Sequence, residues 1–301
     1  MKKTTNDEVS IPDGYLVKVK QMNHVVEIRH SSKANFSQHI KKLDKDRYVE
    51  VATGEIKEFT HIENRGQSYN SLRQTFNKVR DLTNNNFVGH ANELHVTITY
   101  AENMTDTKQL YTDFDKFIKR LRYNFKKVTT IDYLTVIEPQ ARGAWHAHVL
   151  LRFNKLDAIY IDNADLAQMW GLGFVTIKSL KDVDNIGAYL SAYLTDVELI
   201  EDNVGQAFKS DGTLQIKEVE GKKYIKGGRL HMYPPGMNLY RKSKGIEFPE
   251  VQEMSFARAK KIVQDATPNY QKSVTLEDDR HTIQHQYLQY NTKRSKKEKE
   301  S

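Results

Sequence analysis

The chain has 301 residues, a formal net charge of +7 and no cysteine. The lack of cysteine excludes disulfides, a thiolate nucleophile and cysteine-based zinc sites, so any metal must bind His, Asp or Glu. No apolar run is long enough to span a membrane, and no apolar segment follows the first lysines, so we expect a cytoplasmic protein. The basic excess favours a polyanion as partner, nucleic acid before a membrane surface.

The first part of the chain combines strands with one helix. Val and Ile alternate with charged residues over 15–30 and 47–60, which predicts strands. Apolar residues at helical spacing from Leu72 to Leu82 then predict a helix, which the run of three asparagines after it ends.

Strands and helices alternate in the next hundred residues. The pattern predicts strands over 94–100, 132–138 and 145–153, with a tight turn between the last two. A strongly amphipathic helix is expected over 106–127 and a short one near 163–170. The segments "GFVTIKSL" and "VDNIGAYLSAYLTDVELI" are then predicted to form a strand and a helix.

These elements predict an α+β fold, with a central antiparallel sheet flanked by helices. After residue 200 the pattern weakens, and the end of the chain is a charge run with nothing to bury. We therefore expect four consecutive segments: a β/α accessory region at 1–90, a catalytic domain at 91–200, an accessory DNA-contacting region at 201–285 and a disordered basic tail at 286–301.

Two histidines lie one residue apart in an apolar strand, His146 and His148. Residues i and i+2 of a strand point to the same face, and Glu138 ends the preceding strand opposite Trp145 or His146. Both histidines could simply be hydrogen-bonded core residues. Two imidazoles and one carboxylate on a rigid sheet are also an open three-ligand site for Mn²⁺, Mg²⁺, Zn²⁺ or another divalent ion.

Two tyrosines four residues apart, Tyr189 and Tyr193, share one face of the last predicted helix. They could pack at the rim of the core with their hydroxyl groups in water. Beside a metal, however, a tyrosine hydroxyl can attack a phosphodiester and form a phosphotyrosine linkage that conserves the bond energy for rejoining.

The order of these motifs resembles the HUH endonuclease superfamily, in particular the rolling-circle replication initiators of bacterial plasmids, phages and integrative elements. "HVTITY" resembles the first motif of that family, "IEPQARGAWHAHVLL" the second and "AYLSAYLTD" the third. The resemblance covers roughly residues 45–250. It implies an RRM-like palm, Glu138, His146 and His148 as ligands of Mn²⁺ or Mg²⁺, and Tyr189 and Tyr193 as nucleophiles.

The resemblance further implies a sequence-specific DNA nicking and joining enzyme. It would form a 5′-phosphotyrosine at a single-stranded or hairpin origin and leave a free 3′-OH for a host polymerase. A host helicase would be needed, since the chain has no G-x-x-x-x-G-K-[ST] phosphate loop. Two alternatives remain open: a tyrosine transposase of the same superfamily, and a non-catalytic origin-binding protein.

The third motif departs from the family pattern in one respect. Lysine commonly stands three residues after a tyrosine there, whereas this chain has Ala192 and Asp196. Lys178 or Lys181, just ahead of the helix, could supply the missing charge. Because Tyr189 lies a turn nearer the positive end of the helix dipole, we expect it to act first and Tyr193 second.

Overall fold

The computed structural model describes residues 2–32, 40–59, 69–140, 143–195, 197–198, 216–219, 222–225, 233, 237–277 and 282–294. In chain order the strands are β1 (Lys2–Asn6), β2 (Leu16–Met22), β3 (Val25–Ser31), β4 (Ile40–Lys42), β5 (Arg47–Glu50), β6 (Ile56–Glu58), β7 (Glu93–Tyr100), β8 (Ile131–Pro139), β9 (Trp145–Phe153), β10 (Gly173–Ser179), β11 (Val197–Glu198), β12 (Ile216–Val219), β13 (Lys222–Ile225), β14 (Tyr240–Lys242), β15 (Val251–Ser255), β16 (Pro268–Glu277) and β17 (Thr282–Asn291). The helices are α1 (Tyr69–Asn86), α2 (Thr107–Phe125), α3 (Asn163–Trp170), α4 (Ile186–Thr195) and α5 (Phe256–Val263).

The chain folds into two compact units, and both ends of the chain belong to the same one. Residues 1–63 and 250–301 form what we call the terminal unit, and residues 64–249 form the central unit. This division differs from the four consecutive segments expected from the sequence. The physical reason is strand pairing, because β17 near the C-terminus pairs with β3 near the N-terminus.

The terminal unit contains a six-stranded antiparallel sheet in the order β1-β16-β17-β3-β2-β15. Alternate residues such as Val17, Val19 and Ile28 are buried on one face, where Phe256 and Val263 of α5 complete an apolar cluster. The expected disordered tail is therefore wrong over 286–291, since these residues lie in β17 and Leu288 is part of the cluster. A smaller sheet has the order β4-β5-β6.

The central unit contains a five-stranded antiparallel sheet in the order β10-β7-β9-β8-β14. Helix α2 packs its apolar stripe on one face, where Phe114 contacts Tyr133 and Phe125 contacts Phe153. Helices α1 and α4 contact each other, and α4 also contacts β8. A three-stranded sheet has the order β11-β13-β12.

Local signals fix where the central helices begin and end. The Asp106 side chain accepts hydrogen bonds from two backbone amides at the start of α2, and the Asp162 side chain accepts one at the start of α3. Helix α3 ends at Gly171, whose φ of 73° suits glycine. The antiparallel sheets and helices agree with the α+β class. No helix in the described ranges is long and apolar enough to cross a membrane.

The tract after residue 236, expected to be an accessory DNA-contacting region, instead completes the central sheet where it is described. Residues 240–242 form β14, which pairs with β8. The Arg241 guanidinium lies 3.7 Å from the centre of the Tyr111 ring and pairs with Asp115. These contacts occupy Arg241 in holding β14 against α2. Residues 226–232 and 234–236 of this tract lie outside the described residues.

Candidate functional site

One face of the central sheet collects the polar side chains of three neighbouring strands. Glu138 of β8 lies directly opposite His146 of β9, as the hairpin predicts. His148 lies opposite Thr97 of β7, and His95 is two residues from Thr97 on the same face. Because paired residues on antiparallel strands project to the same side, these groups converge on one surface.

The polar groups form a continuous hydrogen-bonded chain from Tyr189 to Glu138. The Tyr189 hydroxyl lies 3.1 Å from His95 Nδ1, and His95 Nε2 lies 3.0 Å from His148 Nδ1. His148 Nε2 contacts the Glu138 carboxylate. Since a carboxylate only accepts, His148 Nε2–H donates to Glu138, His95 Nε2–H donates to His148 Nδ1, and the tyrosine hydroxyl donates to His95 Nδ1.

Burial keeps both imidazoles of this chain neutral. It lowers the pKa of His95 to about 3, with smaller contributions from His148 and from the positive charge of Lys178. It lowers the pKa of His148 to about 4, again helped by Lys178. Both side chains are buried. A neutral imidazole keeps one lone pair, which is what either a hydrogen-bonded relay or a metal ligand requires.

Helix α4 is held against α1 at the position that presents Tyr189. The Gly187 amide donates to Asn84 Oδ1 at 2.9 Å. A Cβ atom at residue 187 would stand 2.6 Å from that oxygen, so glycine allows the close approach. The Asn185 side chain accepts from the Ala188 amide in the first turn. Tyr189 is half-buried, and its ring meets the His95 ring edge-on at 5.4 Å.

The second tyrosine is not brought to the site by anything that can be described. Tyr193 lies in α4, but its side chain is outside the described residues. Asp196 also lies outside them. The expected order of the two tyrosines therefore stays a prediction.

The residues proposed as metal ligands fit a divalent ion in their chemistry. They offer one carboxylate and two imidazoles on one face, with His146 stacked 6.3 Å from His148 between ring centres. Among the described residues, no three His, Asp or Glu side chains stand in a coordinating arrangement. An ion would have to replace the hydrogen bond between His148 and Glu138.

Three residues at the site received no assigned role, or only a suggested one, from the sequence. His95 is on the same face as the histidine pair, and its signal was the alternating pattern His-x-Thr-x-Thr of β7. Lys178 of β10 is the Cα partner of His95. Phe174, four residues before Lys178 and thus on the same face, is 70% exposed. Edge strand β10 therefore borders the site with a cation and an aromatic ring.

The part of the chain that builds this site matches a known family. Residues 93–198 match the model of a family described as replication-associated protein, of the ORF2 type. The match covers β7 through α4 and supports a replication initiator, with DNA as the partner. Comparisons with curated proteins and with solved structures found no significant match.

Proposed function

We propose that this chain is an HUH endonuclease that starts rolling-circle replication by nicking and rejoining DNA through Tyr189. The observation that carries the proposal is the 3.1 Å contact between the Tyr189 hydroxyl and His95 Nδ1, on the sheet face that holds Glu138 and both histidines of the second motif. A half-buried tyrosine whose hydroxyl only needed a partner would not require three further polar groups behind it.

The reaction exchanges one phosphodiester for another. The Tyr189 oxygen attacks the phosphorus atom of the origin strand, and a new bond forms between them. The bond from phosphorus to the 3′ oxygen of the preceding nucleotide breaks, and that oxygen takes a proton and leaves as a free 3′-OH. The DNA 5′ end stays on the tyrosine, so the step can be reversed to rejoin a strand.

The hydrogen-bonded chain gives the tyrosine proton a defined route. The Tyr189 hydroxyl hydrogen is directed at His95 Nδ1. A charged imidazole is disfavoured at either buried histidine, so transfer to His95 is favourable only if His95 Nε2–H moves to His148 and His148 Nε2–H moves to Glu138. Glu138 is then the final proton acceptor when no ion is bound, and His95 both orients and deprotonates the nucleophile.

Glu138, His146 and His148 are the residues that would hold a divalent ion, Mn²⁺ or Mg²⁺. When bound, such an ion polarises the scissile phosphate and stabilises the charge that develops on it. With Glu138 and His148 engaged in that way, the Tyr189 hydroxyl keeps its hydrogen bond to His95. The ion and the tyrosine would thus use opposite ends of the same side-chain cluster.

Strand β10 would contact the substrate strand beside the reacting phosphate. The ammonium group of Lys178 lies near enough to His95 and His148 to lower the pKa of both, so it can attract a phosphate at the same place. It would supply the charge that the third motif lacks. The exposed ring of Phe174 can stack on an unpaired base. The remaining steps would use a host helicase and polymerase in the cytoplasm.

Covalent adduct formation tests the proposal. The full chain is incubated with a labelled single-stranded library from the element that encodes it, with Mn²⁺, and resolved on a denaturing gel. The proposal expects a DNA-protein adduct that survives denaturation. If the chain binds the library but forms no adduct under any divalent ion, it is a non-catalytic origin-binding protein and the proposal fails.

A further inference from the structure

A row of cationic and aromatic side chains crosses four adjacent strands of the terminal unit. Strand register aligns Lys18 of β2 with Arg29 of β3, Arg29 with Tyr287 of β17, and Tyr287 with Lys272 of β16. With strands about 4.8 Å apart, the row spans about 14 Å. Residues in register share one face, so all four side chains project to the same side.

This row lies on the sheet face opposite α5. The helix covers the alternate residues, among them Val17, Ile28 and Leu288, which are buried. In contrast, Lys18 is exposed and the Arg29 side chain is 45% exposed. The row is thus on the side of the sheet that α5 leaves open to solvent.

The residues of the row are held in place by their neighbours. The Arg29 guanidinium donates to fully buried Glu27 at 2.7 Å and lies over the Tyr287 ring. Tyr270, two residues before Lys272, meets the Tyr287 ring edge-on at 5.7 Å and is 49% exposed. The guanidinium and the two rings form a fixed platform between two lysines.

The charges on this face are unbalanced in favour of cations. Glu27 is buried beneath Arg29, and Glu253 on β15 lies opposite Lys18 at one end of the row. Neither Lys18 nor Lys272 forms an ion pair with a described residue. A surface with unpaired cations and an exposed aromatic ring is complementary to phosphates and to unstacked bases together.

We propose that this face, which we call the Lys18–Lys272 face, is a second DNA-binding surface and that it takes a single strand. Lys18, Arg29 and Lys272 contact successive phosphates, while a base stacks on Tyr270. A duplex would use the cations but not the ring, because its bases are already stacked. The choice of DNA over RNA rests on the proposed function, whereas the binding chemistry does not.

Salt-dependent binding tests the cations. In the full chain, Lys18→Gln with Lys272→Gln removes two charges, and Arg29 is left intact because its loss would strand the buried Glu27 carboxylate. Lys2→Gln with Lys261→Gln, two exposed lysines elsewhere in the terminal unit, is the matched control. Affinity for a labelled single strand of about 20 nucleotides, long enough to cover one such binding site, is measured by anisotropy at several salt concentrations.

The expected result is a slope of log K against log salt that is shallower by about 1.4 in the Lys18/Lys272 variant, since each phosphate contact on a single strand contributes about 0.7. The control variant should lose no more than a small fraction of this. An equal slope in the wild type and the Lys18/Lys272 variant would overturn the proposal, provided that both unfold at the same temperature.

A second pair of variants tests the aromatic ring. Tyr270→Ala should weaken single-strand binding between about fivefold and a hundredfold and leave duplex binding unchanged. Tyr15→Ala is the control, because Tyr15 is equally exposed at 51% but packs on His30, which points to the α5 side. An equal loss for duplex and single strand would overturn the single-strand assignment.

Photocross-linking keeps the proposal testable if a variant does not fold. Wild-type protein is cross-linked to a single strand that carries 5-iododeoxyuridine, and the linked peptides are mapped. Cross-links within 268–291 are expected, and cross-links confined to 64–249 would contradict the proposal. Adduct formation at Tyr189 is a separate readout, so failure of this surface and failure of the nicking function are distinguishable.

Discussion

The hydroxyl group of Tyr189 on α4 lies 3.1 Å from Nδ1 of His95 on β7, and the other nitrogen of that imidazole reaches His148. The contact joins residues that are 94 positions apart in the chain. It links the tyrosine helix to the strand of the histidine pair through a residue that belongs to neither element. The following predictions depend on that link or on the charges around it.

Removing His95 should slow adduct formation without weakening DNA binding. His95→Ala deletes the acceptor of the Tyr189 proton, and we expect the rate at saturating oligonucleotide to fall by about a hundredfold or more. His95→Asn, whose side-chain carbonyl can stand near the position of Nδ1, should recover part of the rate. A rate equal to wild type in His95→Ala, or a loss that appears only as weaker binding, would remove His95 from the reaction.

Divalent ions should stabilise the wild-type protein and not a Glu138→Gln variant. An ion that binds only the folded state raises the free energy of unfolding, so Mn²⁺ should raise the melting temperature of the wild type, and EDTA should reverse the shift. His146→Ala and His148→Ala should abolish adduct formation while retaining most DNA binding. Full adduct formation in excess EDTA would contradict the metal assignment and leave the proton relay alone.

The charge on β10 can be tested with two neighbouring exposed lysines. Lys178→Ala should lower the rate of adduct formation by about a hundredfold, the usual effect of losing one group that stabilises charge in the transition state. Lys181→Ala, which removes the same charge three residues further on, should stay near wild type. Equal losses in both variants would mean that only general attraction for DNA was lost.

The fold around the site was largely predictable, because strand alternation and helical spacing are local signals. The position of Glu138 opposite His146 followed from the length of the hairpin turn and is confirmed. His95 was missed as a site residue because its role depends on the pairing of β7 with β9 and on the approach of α4, neither of which is encoded locally. Glutamine-rich β17 was assigned partly to a tail because its partner strand β3 lies near the other end of the chain.

Stability should fall as the pH drops below the ordinary pKa of histidine. His95 and His148 have a depressed pKa in the folded protein, so between pH 6.5 and about 4 the unfolded chain binds protons that the folded protein excludes. Each group then costs about 1.4 kcal/mol per pH unit. Urea unfolding between neutral pH and about pH 5 should show a shallower dependence in His95→Gln than in wild type, with exposed His90→Gln as control. Parallel curves for all three proteins would mean that His95 is not buried in neutral form.

The nucleophile is the central claim, and peptide mapping of the covalent adduct tests it most directly. Wild type, Tyr189→Phe and Tyr193→Phe are incubated with the same single-stranded origin oligonucleotide and Mn²⁺, and the linked peptide is sequenced. The account predicts that the DNA is attached to Tyr189, that Tyr189→Phe forms no first adduct, and that Tyr193→Phe forms it at the wild-type rate. An adduct on Tyr193 that persists in Tyr189→Phe would contradict it, as would an adduct formed by the double variant.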